Sequence, residues 1–514
     1  MSSPRVFALP GITLTFLALF LASALGYGAL WWLDFGAQGG LVSLMTDPNA
    51  TEALGSFAEV TVGVLGVAIT VVAIILELAA NRYTPRITEL FLRDPVNVGV
   101  MGFYIVLTVL TLWITTSLHG DVWPWHMVLA LEVLLSAGLL LILPYFAYVF
   151  DFLSPGRIVQ HLQRTGSQAL TGLAGGRQRD LERGRSELLT SVEQLGDIGL
   201  SATEQRDKAI GLTALTALAE LAIEAVERRE QLPAAWFDIR ERAAEDQDLV
   251  ALHREMVELL VERRTWVQMK ILRQYQAVFS DALNRNRDIN HLIAILTRRV
   301  AAAALEKGDG ETLDLALRYM NTYLRAAINA VDVRTTYNLF NEYRALGEAL
   351  VDAGETARVL RVAEHFKFYG QLGFSKSLPF ILEIAAYDLG ALLEHIHKVG
   401  LESHEAVLDV LLDVDREPDD SLAQESALRG VRKAQVKLAV YYLEHGELAL
   451  ARRIYEDMRA ELPARLGSIH EELCSIVERE YWEVSDRGVN FDYLVPAHRT
   501  HLSTFFGWFP QQRV

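Results

Sequence analysis

Residues 59–81 read EVTVGVLGVAITVVAIILELAAN, and this stretch decides the architecture. Between Glu59 and Glu77 it carries no charge, and about 20 mainly apolar residues are what a helix needs to cross the hydrocarbon core of a bilayer. Taken at steps of three and four, Glu59, Gly63, Gly66, Thr70, Ala73, Glu77 and Asn81 share one helical face, and the intervening residues are mostly Val, Leu and Ile. The segment is therefore a membrane span with a small, polar stripe. Small residues let helix backbones approach closely, so one reading of the stripe is a packing seam. An intramembrane carboxylate costs about 2.5–3.5 kcal/mol on insertion scales, so Glu77 has to face protein, water or headgroups. A water-lined path is the competing reading.

Working outward, four stretches have the length and apolarity of spans: residues 12–33, 60–79, 98–117 and 127–150. The first follows Arg5 and contains Ala22-Ser23-Ala24, as a signal peptide would. Its apolar core is too long for one, and Trp31 and Trp32 close it as an interfacial belt. Residues 34–59 contain no Lys or Arg, and nor does the short connection around His119-Gly120-Asp121-Val122-Trp123. Arg5, the trio Arg82, Arg86 and Arg93, and the pair Arg157 and Arg164 all fall on the other side. Positive charge marks the cytoplasmic face, so both termini are expected in the cytoplasm, and Asn49-Ala50-Thr51 outside. Glu132 poses the same question as Glu77 near the outer boundary, and Pro144 is expected to kink the last span.

After Asn81 the chain continues Arg82-Tyr83-Thr84-Pro85-Arg86, then Ile87 to Asp94. Thr84 suits a helix N-cap and Pro85 a first turn. Apolar Ile87, Leu90, Phe91 and Leu92 beside Arg86 and Arg93 predict a short interfacial helix on anionic headgroups. Arg82 is placed to pair with Glu77. With Leu78-Ala79, Tyr83, Pro85-Arg86, Phe91 and Arg93-Asp94, residues 57–115 resemble a prokaryotic membrane-protein family known as domain of unknown function 2254. Ala80-Asn81 and Thr84 depart mildly from its pattern, and Glu77 stands where the family usually has Gln. Ala327-Ile328-Asn329 with Asp332 and Thr335 resembles a second family block, without its proline. The resemblance implies a multi-span protein of the cytoplasmic (inner) membrane, and no particular activity.

Composition limits the rest. The chain has 514 residues, a formal net charge of −17 and one cysteine, Cys474. That excludes an intramolecular disulfide and any multi-cysteine metal centre, and the acidic balance argues against nucleic acid as a partner. Residues 1–154 form the transmembrane domain and 155–200 juxtamembrane linker helices, with loose linker expected to about Arg185. A long-helix region follows over 201–289, a helical-repeat-like domain over 290–485 and an aromatic tail over 486–514. Ser201-Ala202-Thr203-Glu204 reads as a capping box opening a helix to about Glu230, and another long helix is expected from about Leu249 to Asn284. The fold class is all-α: four transmembrane helices, then a solenoid-like cytoplasmic domain.

Leu438, Ala439, Tyr442, Gly446, Ala451, Tyr455 and Pro463 fall at the spacing of one tetratricopeptide repeat, a helix–turn–helix unit that this region resembles. Leu346, Gly347, Leu350 and Gly354 echo it more weakly. One such repeat has to stack on neighbours to bury its face.

No phosphate-binding loop, nucleophile elbow or zinc-protease helix occurs. His395 and His397 point apart on a helix, and His498 and His501 lack a third ligand. Arg429, Arg432, Lys433 and Lys437 form a basic helical patch, either solvated or salt-bridged. Phe505, Phe506, Trp508 and Phe509 are expected to dock on the domain, the alternative being an anchor at a membrane surface or partner. No cofactor, metal or enzymatic activity is expected. The partners expected are the lipid bilayer and a protein bound through the helical repeats or by self-association. The function expected is that of a membrane-anchored interaction or scaffold protein whose cytoplasmic helical array binds partners or self-assembles; the alternative is a homo-oligomeric ion channel lined by the second span.

Overall fold

The apolar runs fold into long helices. The protein, seen here in a computed structural model, is described at residues 21, 23–36, 48–82, 91, 92, 94–117, 125–152, 154–171, 178–415, 422–481 and 483–510. Among them all regular structure is helical, and no strand occurs. The chain divides into two units, Met1–Ile158 and Val159–Val514.

The first unit holds α1 (Pro48–Arg82), α2 (Pro95–Ser117) and α3 (Trp125–Phe152), which contain the second, third and fourth expected spans. Of the first span, residues 23–31 are described as helix, followed by a π-helical turn, Trp32–Gly36; residues 12–20 lie outside the described residues. Asp34 in that turn starts α3. Its carboxylate accepts from the backbone N–H groups of His126 (3.1 Å) and Met127 (3.0 Å), donors that a helix start otherwise leaves unpaired. Tyr104, Leu107 and Ile114 of α2 form the core with Met127, Val128, Leu131 and Leu135 of α3. The Tyr104 hydroxyl donates to the Gly138 carbonyl at 2.6 Å, fastening the two helices. Pro144 lies inside α3.

Only 22% of the α1 span, 28% of the α2 span and 22% of the α3 span is buried, so most of their apolar surface needs an apolar solvent, which a bilayer supplies. The division falls within α4 (Pro155–Thr171), and the second unit continues with α5 (Gln178–Glu204) and α6 (Lys208–Glu227). By length and composition α6 is a fourth helix able to cross a membrane, but 56% of it is buried. Leu215, Leu218 and Leu221 are wholly enclosed by the second unit. With its apolar side already covered by protein, α6 is a core helix.

The chain continues through α7 (Arg254–Glu262), α8 (Trp266–Ala282), α9 (Arg287–Glu306), α10 (Gly310–Asn329), α11 (Val333–Asp352), α12 (Thr356–Ser375) and α13 (Pro379–Val399). It ends in α14 (His404–Leu412), α15 (Leu422–Glu444), α16 (Leu448–Met458), α17 (Pro463–Ser475), α18 (Pro496–Arg499) and α19 (Leu502–Phe506). In one row α6, α9, α11, α13 and α15 pack in succession; in another α10, α12 and α14 do so. Five of the turns share a device: a residue at positive φ, then an acid at the helix start. Gly308-Asp309, Gly354-Glu355 and Gly446-Glu447 use glycine (φ 68°, 74° and 82°), whereas Arg206-Asp207 and Val331-Asp332 carry side chains there. Glycine takes this left-handed conformation without the clash a Cβ brings. Asp332 accepts from the Thr335 N–H (3.2 Å), so the second family-like block is a helix cap.

Three expectations are corrected. Ser201–Glu204 closes α5 rather than opening a helix; the cap of α6 is Asp207, which accepts from the Ile210 N–H. The helix expected over residues 249–284 breaks into α7 and α8, with Arg264 at φ 55° between them. The stretch to Arg185 is mostly α4 and the first turns of α5. The repeat-like residues form a helix–turn–helix: Leu438, Ala439 and Tyr442 on α15 and Ala451 on α16 are buried, Gly446 makes the turn, and Pro463 begins α17. The aromatic tail docks, with Phe505 and Phe509 buried and Phe509 edge-on to Tyr455 at 4.9 Å.

Candidate functional site

Two faces of α1 differ. Thr61, Ala68, Val72 and Leu76 turn inward and are buried. Glu59, Gly63, Gly66, Thr70, Ala73 and Glu77 all lie exposed on the outer side; the side chain of Asn81 is outside the described residues. The Thr70 hydroxyl is satisfied within its own helix by the Gly66 carbonyl at 2.8 Å. A Cβ built on Gly63 or Gly66 meets no atom within 4 Å. The stripe is thus no packing seam among the described helices of one chain. A shallow groove of about 380 Å³ runs beside it, between Val60, Gly63, Val64 and Val67 of α1 and Ile142 and Phe146 of α3. Glu132 on α3 is exposed as well.

The family-like motif is described in part; Tyr83, Thr84, Pro85, Arg86 and Arg93, and with them most of the expected interfacial helix, lie outside the described residues. Phe91 and Asp94 have clear work. Asp94 caps α2, accepting from the N–H groups of Val96 and Asn97 (both 3.0 Å), and takes the Tyr148 hydroxyl of α3 at 2.7 Å. Asn97 donates to the Phe91 carbonyl (3.1 Å) and accepts from the Tyr145 hydroxyl (2.5 Å). Phe91 is buried edge-on to Phe152, with centroids 5.5 Å apart. The motif ties the start of α2 to the end of α3. Tyr145 and Tyr148 escaped sequence reading because they sit about fifty residues away within an apolar run.

In the second unit, Lys270 of α8 is buried and donates to Glu193 (2.9 Å), Asp246 (2.6 Å) and Asp248 (2.8 Å). Burial alone would lower this ammonium; hydrogen bonds to Asp246 and Asp248 and the neighbouring negative charge outweigh it and hold its pKa raised. The three carboxylates lie close enough to hold a metal ion, but the lysine already serves as their cation. The one sequence signal was a lysine inside the apolar run Trp266 to Leu272.

The basic patch on α15 is salt-bridged. Arg432 reaches Asp415 (2.6 Å), Asp457 (2.6 Å) and Glu461 (2.9 Å), and Arg429 reaches Glu472 (3.0 Å). His395 and His397 point apart, to Asp352 and to the Tyr441 hydroxyl. His498 pairs with Glu444 at 2.8 Å. Neither pair gathers a metal-ligand set among the described residues.

Compared with known proteins, residues 2–225 match the family model described as predicted membrane protein (DUF2254), which supports the resemblance carried by the motif. The match covers the first unit and reaches into α6. No curated protein and no solved structure matches the chain.

Proposed function

From the premise of a predicted membrane protein of this family, we propose a membrane-anchored interaction protein that self-assembles through α1. Its helical second unit lies at the cytoplasmic face and binds partners there, with no chemistry of its own. The observation that carries the reading is the outward direction of the stripe from Glu59 to Glu77, including both carboxylates. Glu59 and Glu77 facing lipid would each cost up to about 2.5–3.5 kcal/mol at mid-bilayer, less toward the boundaries where they lie. Against the stripe of a second copy, Gly63, Gly66 and Ala73 permit close backbone approach, and the carboxylates face protein or trapped water. The one-sided arginines support the orientation, and the successive packing of α9, α11, α13 and α15 supports a solenoid-like platform.

A second reading, an ion channel formed by several copies, is favoured by Glu77 lying on the same stripe, since a ring of carboxylates concentrates cations. The mass of the purified protein in mild detergent tests the shared premise. A dimer or larger ring is expected, and a monomer across the accessible concentration range would overturn both readings.

A further inference from the structure

Between α17 and α18 the described residues from Ile476 to Val495 form no helix, and part of this strap lies across α11, α13 and α15. Its inner stretch reads Asp486-Arg487-Gly488-Val489-Asn490-Phe491-Asp492-Tyr493. Phe491 is the aromatic anchor: it stacks on Tyr387 of α13 with centroids 5.0 Å apart and meets Tyr337 of α11 edge-on at 6.0 Å. Asp492 follows, pairing with Lys433 of α15 at 2.7 Å and accepting from the Tyr387 hydroxyl. Lys437, one helical turn on, donates to the backbone carbonyls of Phe491 and Tyr493. Five residues before Phe491, Asp486 takes Arg334 (2.7 Å) and Asn338 (2.8 Å) of α11. The helices thus read one aromatic ring, a carboxylate on either side of it and, between them, Arg487 paired with Asp388, all presented on two tight turns closed by the Gly488 N–H on the Ser485 carbonyl and the Tyr493 N–H on the Asn490 carbonyl (both 3.1 Å).

The contacts resemble those of a bound peptide more than those of a core. Leu494 is the strap's sole fully buried apolar side chain among its described residues, while Val477, Tyr481, Val484, Val489 and Val495 are exposed. Most of the hold is polar, and such contacts return little net stability, because each replaces a hydrogen bond to water. The floor, by contrast, is committed: burial pushes the Lys437 ammonium down to about 8. The Phe491 and Tyr493 carbonyls and the nearby Asp492 carboxylate offset that cost, so a segment that replaces the strap has to offer acceptors and negative charge at the same places. Beside the strap a cavity of about 920 Å³, walled in part by Val331, Tyr337 and Phe380, leaves room for a longer segment.

We infer that the α11–α13–α15 face is a peptide-binding groove and that the strap is its resident intramolecular ligand. The partner it fits is a protein segment able to take the strap's two turns, with an aromatic residue followed directly by a carboxylate and preceded five positions earlier by another. Such a segment binds by displacing the strap. The inference rests on the second unit being a binding module and is separate from assembly through α1.

The test uses the full-length protein in detergent and a fluorescent synthetic peptide spanning residues 485–494. A chain carrying Phe491→Ala and Asp492→Ala should bind it at least tenfold more tightly than wild type, whose groove is filled. A peptide bearing the same two replacements should bind neither chain. A variant as helical as wild type that binds no peptide overturns the inference. Should the variant fail to fold, the wild type decides: excess unlabelled peptide should speed amide hydrogen exchange over residues 485–494 of an isotope-labelled chain, where Arg487 is otherwise held against Asp388 (2.8 Å), and an indifferent exchange rate overturns the inference. Oligomeric mass, read on the same samples, reports on assembly through α1 independently. Loss of peptide binding with mass retained removes only the groove.

Discussion

Lys270→Ala is expected to destabilise the second unit by about 3–5 kcal/mol, the cost of removing one partner from a buried ionic cluster. Glu193, Asp246 and Asp248 would be left facing one another around a space the ammonium had filled, with Asp246 almost wholly buried. That arrangement of oxygens suits calcium, so calcium should restore much of the lost stability of the alanine variant and chelator should remove it again. Lys270→Met should be destabilised to a similar extent but recover far less, since its side chain still occupies the space. The raised pKa fixes the pH dependence. Stability from the ammonium is fully present below the ordinary lysine value and is lost as pH rises through the folded value. The gap between wild type and variant should therefore persist through neutral pH and close only in alkali. Thermal unfolding followed by circular dichroism, with calcium and with chelator, reads all of this. An alanine variant that melts with wild type, or ignores calcium, would contradict the role given to Lys270.

Gly66→Leu is expected to disperse the assembly while leaving the chain folded. Within one chain nothing lies within 4 Å of a Cβ at Gly66, so the larger side chain has room and adds apolar surface suited to lipid. Its cost appears only where a second backbone packs against that face. A loss of about 1.4 kcal/mol shifts the association equilibrium tenfold, and a leucine forced into a glycine contact should exceed that. Gly138→Leu makes the contrast. A Cβ there already lies 3.3 Å from the Leu107 side chain, so that variant should damage the fold itself. Sedimentation in detergent, with helicity as the control, separates the two. An unchanged mass for Gly66→Leu would place the interface elsewhere.

What the sequence made legible followed from local pattern. Apolar runs located α1, α2 and α3, the 3–4 spacing located the stripe, and the tight turn at Gly446 followed from a repeat spacing. The direction of the stripe was not legible, because periodicity shows that residues share a face and not what that face meets. Ser201–Glu204 misled because the same Ser-x-x-Glu pattern fits the last turn of a helix; the real cap, Asp207, lay three residues further on. Lys270 and its acids were hidden by distance along the chain, since Glu193 comes from α5 and Asp246 and Asp248 from the turns before α7. For the same reason the patch at Lys433 and Lys437 read as surface charge, when its acceptors, Asp492 and the carbonyls beside it, come more than fifty residues later.

Disulfide trapping in native membranes tests the central claim, that the α1 stripe is an interface between copies. In a Cys474→Ser background, Thr70→Cys lies on the exposed stripe and Val72→Cys faces the chain's own core. On oxidation Thr70→Cys should give a covalent dimer and Val72→Cys none. A Thr70→Cys chain that stays monomeric, or trapping through Val72→Cys instead, would contradict the account.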